Sequence, residues 1–150
     1  MPERSEGGEV SYDAEGRLRW GKLAAGILIQ RDDSKDFLLV LRSDEVMDPR
    51  VFGIPGGRVE PGEELEVAAF SEAKEELGPL PPMKLVASDV YESGDFSYVT
   101  FLAKMKGKDA KKWKPKLNWE NDAWIWVGLK ELDGIDGIHP NVLRVLEKWS

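Results

Sequence analysis

The longest apolar stretch, from Lys22 to Arg31, is rich in small and β-branched residues and predicts a buried strand. A polar run, Asp32-Asp33-Ser34-Lys35-Asp36, turns it into a second apolar stretch, Phe37 to Arg42, and the two together predict a hairpin. Upstream, Met1 to Arg19 is polar and Gly-containing, the pattern of an arm with a short strand near Val10–Tyr12. Downstream, Ser43 to Arg50 is a polar loop, and Val51 to Pro55 is a short extended piece running into Gly56-Gly57. Glu63 to Leu77 lacks Gly and Pro and is rich in helix formers; Gly78 and Pro79 then stop the helix. Lys84 to Glu92 and Phe96 to Lys106 predict strands around a turn at Ser93-Gly94-Asp95. Gly107 to Lys116 reads as a lysine-rich loop, Trp124 to Val127 as a strand and Leu129 to Leu132 as a helical turn. Pro140 to Trp149 predicts a helix with proline at its first position. Strands alternating with a few helices imply a layered α/β (α+β) domain with a mixed sheet.

With 150 residues the chain fits one domain, spanning 1–150, and no repeat or low-complexity tract divides it. The net charge of -7 argues against general nucleic-acid binding, which leaves a basic footprint. It leaves small anionic substrates open, because a bound cation inverts the local field. With no cysteine, disulfides, thiolate metal sites and cysteine nucleophiles are excluded. The N-terminus carries no signal-like apolar stretch, and no run approaches membrane-spanning length. The expectation is a soluble, cytoplasmic protein without a membrane partner.

One feature works against simple helix physics. Taking about 100° per residue, Glu75 lies roughly 60° to one side of Glu72 and Glu76 roughly 40° to the other. Three carboxylates thus share one face in the last two turns, where the helix dipole is negative and each such placement costs about 0.3–1 kcal/mol. A divalent cation reverses the sign: magnesium and manganese favour carboxylates, waters and phosphate oxygens. Gly56 and Gly57 let the main chain approach an ion or phosphate without a side chain intervening. A solvated acidic face is the competing reading of the same residues.

The segment that begins at Gly57 resembles the Nudix box. Five residues separate Gly57 from Glu63; seven more lead to Ser71-Glu72-Ala73-Lys74-Glu75-Glu76-Leu77-Gly78-Pro79. Phe37 to Arg42, Phe52 to Gly57 and Trp124 to Val127 are similar to the flanking strands and entry turn of that family, so the resemblance reaches from about Lys22 to the C-terminus. Two positions depart from the pattern. Ser71 stands where the box has Arg, a residue that helps hold the carboxylates by charge-assisted contacts, and Pro79 stands at a hydrophobic position.

The resemblance implies a single-domain α/β/α sandwich and a hydrolase that cleaves a pyrophosphate bond in a nucleotide or nucleotide conjugate by metal-activated water attack. It implies Mg2+ or Mn2+ as cofactor, with Glu72, Glu75 and Glu76 as ligands and the carbonyl of Gly56 or Gly57 completing the shell. Glu76 is the first choice as direct ligand, then Glu72. Glu75, Glu76 and Glu120 are the candidate catalytic carboxylates, with Glu120 either a base or an ordinary loop residue. Arg42 and Arg58 are candidate contacts to substrate phosphate, since a guanidinium matches phosphate oxygens; Arg42 reads equally as a solvated strand end. Glu63, Ser71 and Gly78 are structural box positions. Family members are often dimers, so a homodimer is compatible. Loss of the Arg leaves a second reading open, a Nudix-fold nucleotide-binding module with weak catalysis.

Further residues carry weaker expectations. Trp113 and Trp119 are candidates for stacking on a base, Trp124 and Trp126 for the core, and His139 for capping the last helix. Either Phe96, Tyr98 and Thr100 or Ser97, Val99 and Phe101 face the substrate side of their strand.

Overall fold

The computed structural model describes residues 10–12, 18–20, 22–46 and 48–150. Strand β1 (Val10–Tyr12) pairs antiparallel with β2 (Leu18–Trp20), so the short strand expected in the arm is present; the rest of the arm lies outside the described residues.

Among the described residues the main sheet has seven strands. They are β3 (Leu23–Arg31), β4 (Phe37–Arg42), β5 (Phe52–Gly53), β6 (Gly56–Arg58), β7 (Met83–Ser93), β8 (Phe96–Met105) and β9 (Asn121–Val127). The order is β5-β4-β3-β8-β7, with β6 joined to β3 and β9 to β4. β3 and β8 run parallel and the other pairs are antiparallel, which makes the sheet mixed.

The predicted hairpin is shorter than its sequence suggests. Only Gln30 and Phe37 are in register between β3 and β4. Further along, Ala24, Ala25 and Gly26 of β3 pair instead with Arg58, Gly57 and Gly56, and the Ile27 N–H donates to the Pro55 carbonyl at 3.0 Å. The glycine turn therefore enters the sheet as a strand, with β4 left to pair with β9.

Alternation along β3 sends side chains into two cores. Ala25, Ile27 and Ile29 pack with Ala68, Ala69, Ala73 and Leu77 of helix α1 (Leu65–Leu77). On the opposite face Leu28 packs with Val142, Val145 and Leu146 of helix α3 (Pro140–Trp149). The alanines of α1 bring its axis close to the sheet, because a methyl is all that separates them.

Helix α1 starts two residues later than its composition predicts. The chain turns at Gly62, φ 84°, and the Glu60 N–H donates to Glu63 Oε1 at 3.1 Å, so Glu63 serves the turn rather than the first helical position. The predicted stop holds: Gly78 has φ 79°, a left-handed conformation that glycine adopts freely, and its N–H donates to the Lys74 carbonyl.

The lysine-rich segment is not all loop. Helix α2 (Gly107–Lys112) forms there because Ala110 is buried in the α1-side core and the Gly107 N–H donates to Asp32 Oδ1 at 2.8 Å. Those tertiary contacts outweigh a weak local helix signal. Helix α3 starts where predicted; its Asn141 N–H donates to His139 Nδ1 at 3.2 Å, which makes His139 its cap. Arg144 and Lys148 clamp α3 to the buried Asp89 of β7. Leu129–Gly134 is a 3-10 turn that buries Leu132.

Candidate active site

The site grows from the contact between α1 and β6. Gly57 lies directly beneath Glu72: a Cβ there would sit 2.5 Å from the carboxylate carbon and Oε1. One turn on, Glu76 is 2% exposed. Its Oε2 accepts from the Gly56 N–H at 3.0 Å and its Oε1 from Asn121 Nδ2 at 2.8 Å. Glu75 faces solvent. The three carboxylates are thus no solvated face, since the helix turns two of them inward against a glycine strand.

Burial sets their acidity. It pushes the Glu76 carboxyl up to about 8, with Glu120 adding repulsion and the two hydrogen bonds opposing. Glu72 rises to about 7, again chiefly from burial, then from Glu75, Glu120 and Glu63, with Arg58 pulling the other way. Among the described residues Glu72 has no hydrogen-bond or ion-pair partner.

The residues after α2 form a strap across the end of α1. The Lys116 N–H donates to the Leu77 carbonyl at 2.8 Å and the Asn118 N–H to the Glu76 carbonyl at 3.3 Å. These bonds satisfy carbonyls that a helix end leaves open. The strap then places Glu120, whose N–H and Oε1 both bond the Asn118 side chain at 3.0 Å. The Ser43 N–H holds the Glu120 carbonyl at 2.8 Å.

Tyr98 closes the opposite side of β6. Its hydroxyl occupies the space that a Cβ on either Gly26 or Gly56 would need. Burial, then the charge of Glu76, pushes the phenol far above its ordinary range, so it stays protonated. Of the two strand faces left open by the sequence, the one bearing Tyr98 meets the glycine strand; Val99 and Phe101 belong to the α1-side core.

Arg42 ends β4 opposite Asn121, and its Cδ would lie 3.7 Å from a Cβ on Gly53. Arg58 pairs with Glu60 through Nη2 at 2.5 Å, while its Nε and Nη1 are buried with no hydrogen-bond partner among the described residues. Ser71 is exposed. Trp113 is partly buried against the α1-side core with its Nε1 donating to the Pro79 carbonyl at 3.2 Å, whereas Trp119 is 63% exposed. Trp124 and Trp126 pack against the core, as expected.

Among the described residues no three acidic or imidazole side chains already converge into an ion cage. The donor chemistry nonetheless suits a hard divalent ion: oxygen only, two carboxylates turned away from water without an ion-pair partner among the described residues, and two glycines beside them.

Comparison with known proteins decides the family. The NUDIX domain model matches residues 21–148. The chain belongs to the Nudix family. No curated protein matches it. Solved Nudix structures do. A Nudix hydrolase from M. smegmatis, RenU, has a TM-score of 0.75 at 20% identity, covering 93% of this chain and 91% of that one. The binary complex of a C. elegans Ap4A hydrolase has a TM-score of 0.66 at 28% identity, covering 84% and 94%. The NUDIX domain of Shewanella oneidensis NrtR, solved with ADP ribose, has a TM-score of 0.62 at 18% identity, covering 91% and 90%. The Nudix sandwich expected from the sequence is the observed fold. Membership also carries the expected activity, hydrolysis of a pyrophosphate bond in a nucleotide-type substrate, and does not favour the non-catalytic alternative. No helix among the described residues is long and apolar enough to cross a membrane.

Sequence reasoning misses one residue of the candidate site, Asn121, because a polar residue at a strand start carries no local signal; Tyr98 it leaves on one of two alternative strand faces.

Proposed function

We propose that this Nudix hydrolase works with Mg2+ or Mn2+ held by Glu72, Glu75 and Glu76 and a backbone carbonyl of Gly56 or Gly57. The observation that carries this reading is the pair Glu72, half-buried, and Glu76, buried, side by side near the negative end of a helix, with no ion pair to either among the described residues and only the more distant charge of Arg58 opposing their repulsion. Such an ion, once bound, would supply neutralising charge for the pyrophosphate and lower the pKa of water at the site.

The protein's own groups do the rest. Glu120, held by Asn118 within electrostatic reach of Glu72 and Glu76, would take the proton of the attacking water; its fixed side chain and its nearness to both carboxylates support that role. The two unpartnered donors of Arg58 offer charge-assisted bonds to phosphate oxygens, and Arg42 offers a second guanidinium. Tyr98 keeps its proton and bars water from the back of β6. Trp119 offers a stacking surface for a base. The substrate is a nucleotide or a nucleoside-diphosphate-linked small molecule, met in the cytoplasm. The C. elegans Ap4A hydrolase and the ADP ribose complex of NrtR mark two substrate types to test first.

A phosphate- and pyrophosphate-release screen over a nucleotide library, with magnesium and with manganese, tests the reading. Turnover that requires the metal and disappears in Glu76→Gln supports it. Turnover unaffected by chelation overturns the metal assignment.

A further inference from the structure

Asn121 begins β9 and is 4% exposed. Its Nδ2 donates to Glu76 Oε1 at 2.8 Å, while its Oδ1 is buried without a hydrogen-bond partner. A buried amide oxygen left unpaired costs about 1–3 kcal/mol. A leucine of similar shape would avoid that cost, so the amide gains its place through the one bond that it makes. That bond and the Gly56 N–H each take one oxygen of the same carboxylate, from two different strands. Glu76 is thereby fixed in position and rotation, and both donors are neutral. The charge of the cleft is left undiminished, whereas an arginine donor would cancel part of it.

Position 71 makes this consequential. The box pattern has a cation there, but Ser71 is exposed and makes no hydrogen bond or ion pair among the described residues. We propose that Asn121 is the positioning residue of the metal site: its amide, with the Gly56 N–H, orients Glu76 toward the divalent ion and so performs the task left vacant at Ser71. The inference rests on the assignment of Glu76 as a metal ligand. The geometry is that of an outer-shell partner, a group that does not touch the ion but sets the direction in which its ligand points, and loss of such a partner typically weakens metal binding by about 10–100-fold.

The test is Mn2+ binding to the full chain without substrate, followed by electron paramagnetic resonance, for the unmodified protein, Asn121→Leu and Asn121→Ser. Leucine keeps the volume and removes the donor; serine is a second route should leucine distort β9. The expected result is a Kd for Mn2+ raised by about 10–100-fold in both. Activity should return toward the original kcat as Mn2+ is raised, so that the defect lies in the metal requirement. Gln30→Leu removes another buried strand amide, one that donates to the Lys35 carbonyl at the far end of β3, and should leave the Mn2+ Kd unchanged. An unchanged Kd in both Asn121 variants, alongside lowered melting temperatures, assigns Asn121 to structure alone and overturns the proposal. Absence of Mn2+ binding by the unmodified protein overturns the metal assignment itself, and this inference with it.

Discussion

Glu72 rests its carboxylate on Gly57, 2.5 Å from where a β-carbon would stand, so the helix and the strand can meet at this spot only because residue 57 has no side chain. Gly57 is not in a left-handed conformation, so the requirement is one of space rather than backbone freedom. Gly57→Ala should therefore fold yet displace Glu72, lowering kcat/KM by roughly 100-fold, as expected for the loss of a well-placed catalytic geometry. Steady-state kinetics with circular dichroism check this; full activity would mean that Glu72 is not needed where it lies.

Glu76→Gln keeps the side-chain shape and removes a charge that burial disfavours; its Oε1 still accepts from the Gly56 N–H, and its Nε2 finds an acceptor in the otherwise unpaired Oδ1 of Asn121 once that amide turns over. Activity should fall by about 100-fold or more, while the metal-free melting temperature at pH 8 holds or rises. A large drop in melting temperature would show that the ionised carboxylate contributes to the fold.

The raised carboxyls make metal-free stability depend on pH. Glu72 and Glu76 keep their protons in the folded chain up to about 7 and about 8, against 4.5 for the unperturbed group. Their contribution is thus complete below about pH 4.5 and is lost as pH rises through 7 and 8. In chelator, the melting temperature should fall between pH 5 and pH 8.5 by several degrees, with each kcal/mol worth about 2–4 °C in a domain of this size. Saturating Mn2+ should reverse the fall, and Glu76→Gln should shrink it to the part that Glu72 contributes. A flat metal-free profile in the unmodified chain would contradict the burial of these groups.

Much of this site is legible in the amino-acid sequence. The spacing from Gly57 to Gly78 locates the helix, its stop and its three carboxylates, because helix periodicity and glycine termination are local rules. The fate of each carboxylate is not local. Glu75 faces solvent and Glu76 is buried because β6, twenty residues back, delivers Gly56 to its side. Asn121 is forty-five residues from its partner, a distance over which sequence carries no register. For the same reason the apolar pattern overstates the hairpin of β3 and β4: the glycine turn competes for the edge of β3 and wins it. Helix α2 has the local composition of a loop, since its burial of Ala110 depends on a core assembled from distant strands.

Ser71→Arg should retain activity or raise it, because the position is exposed and accepts a long side chain without repacking. A comparison of kcat/KM and of Mn2+ Kd checks this. Complete loss of activity with intact folding would show a site rebuilt around the serine.

Trp119→Ala should raise KM for a nucleotide by roughly 5- to 150-fold with little change in kcat, the range that corresponds to about 1–3 kcal/mol of base stacking. The same variant should leave the Mn2+ Kd unchanged. An unaltered KM across the library would remove Trp119 from the substrate surface.

The segment from Lys116 to Asn121 ties off the last turn of α1 and, within a few residues, supplies the far wall of the acidic cleft. Helix end and cleft wall are consequently measured out on one length of chain. Inserting or deleting a residue there would slide Glu120 and Asn121 past Glu76 while leaving every box residue intact, so that a perfect motif would face the wrong neighbours.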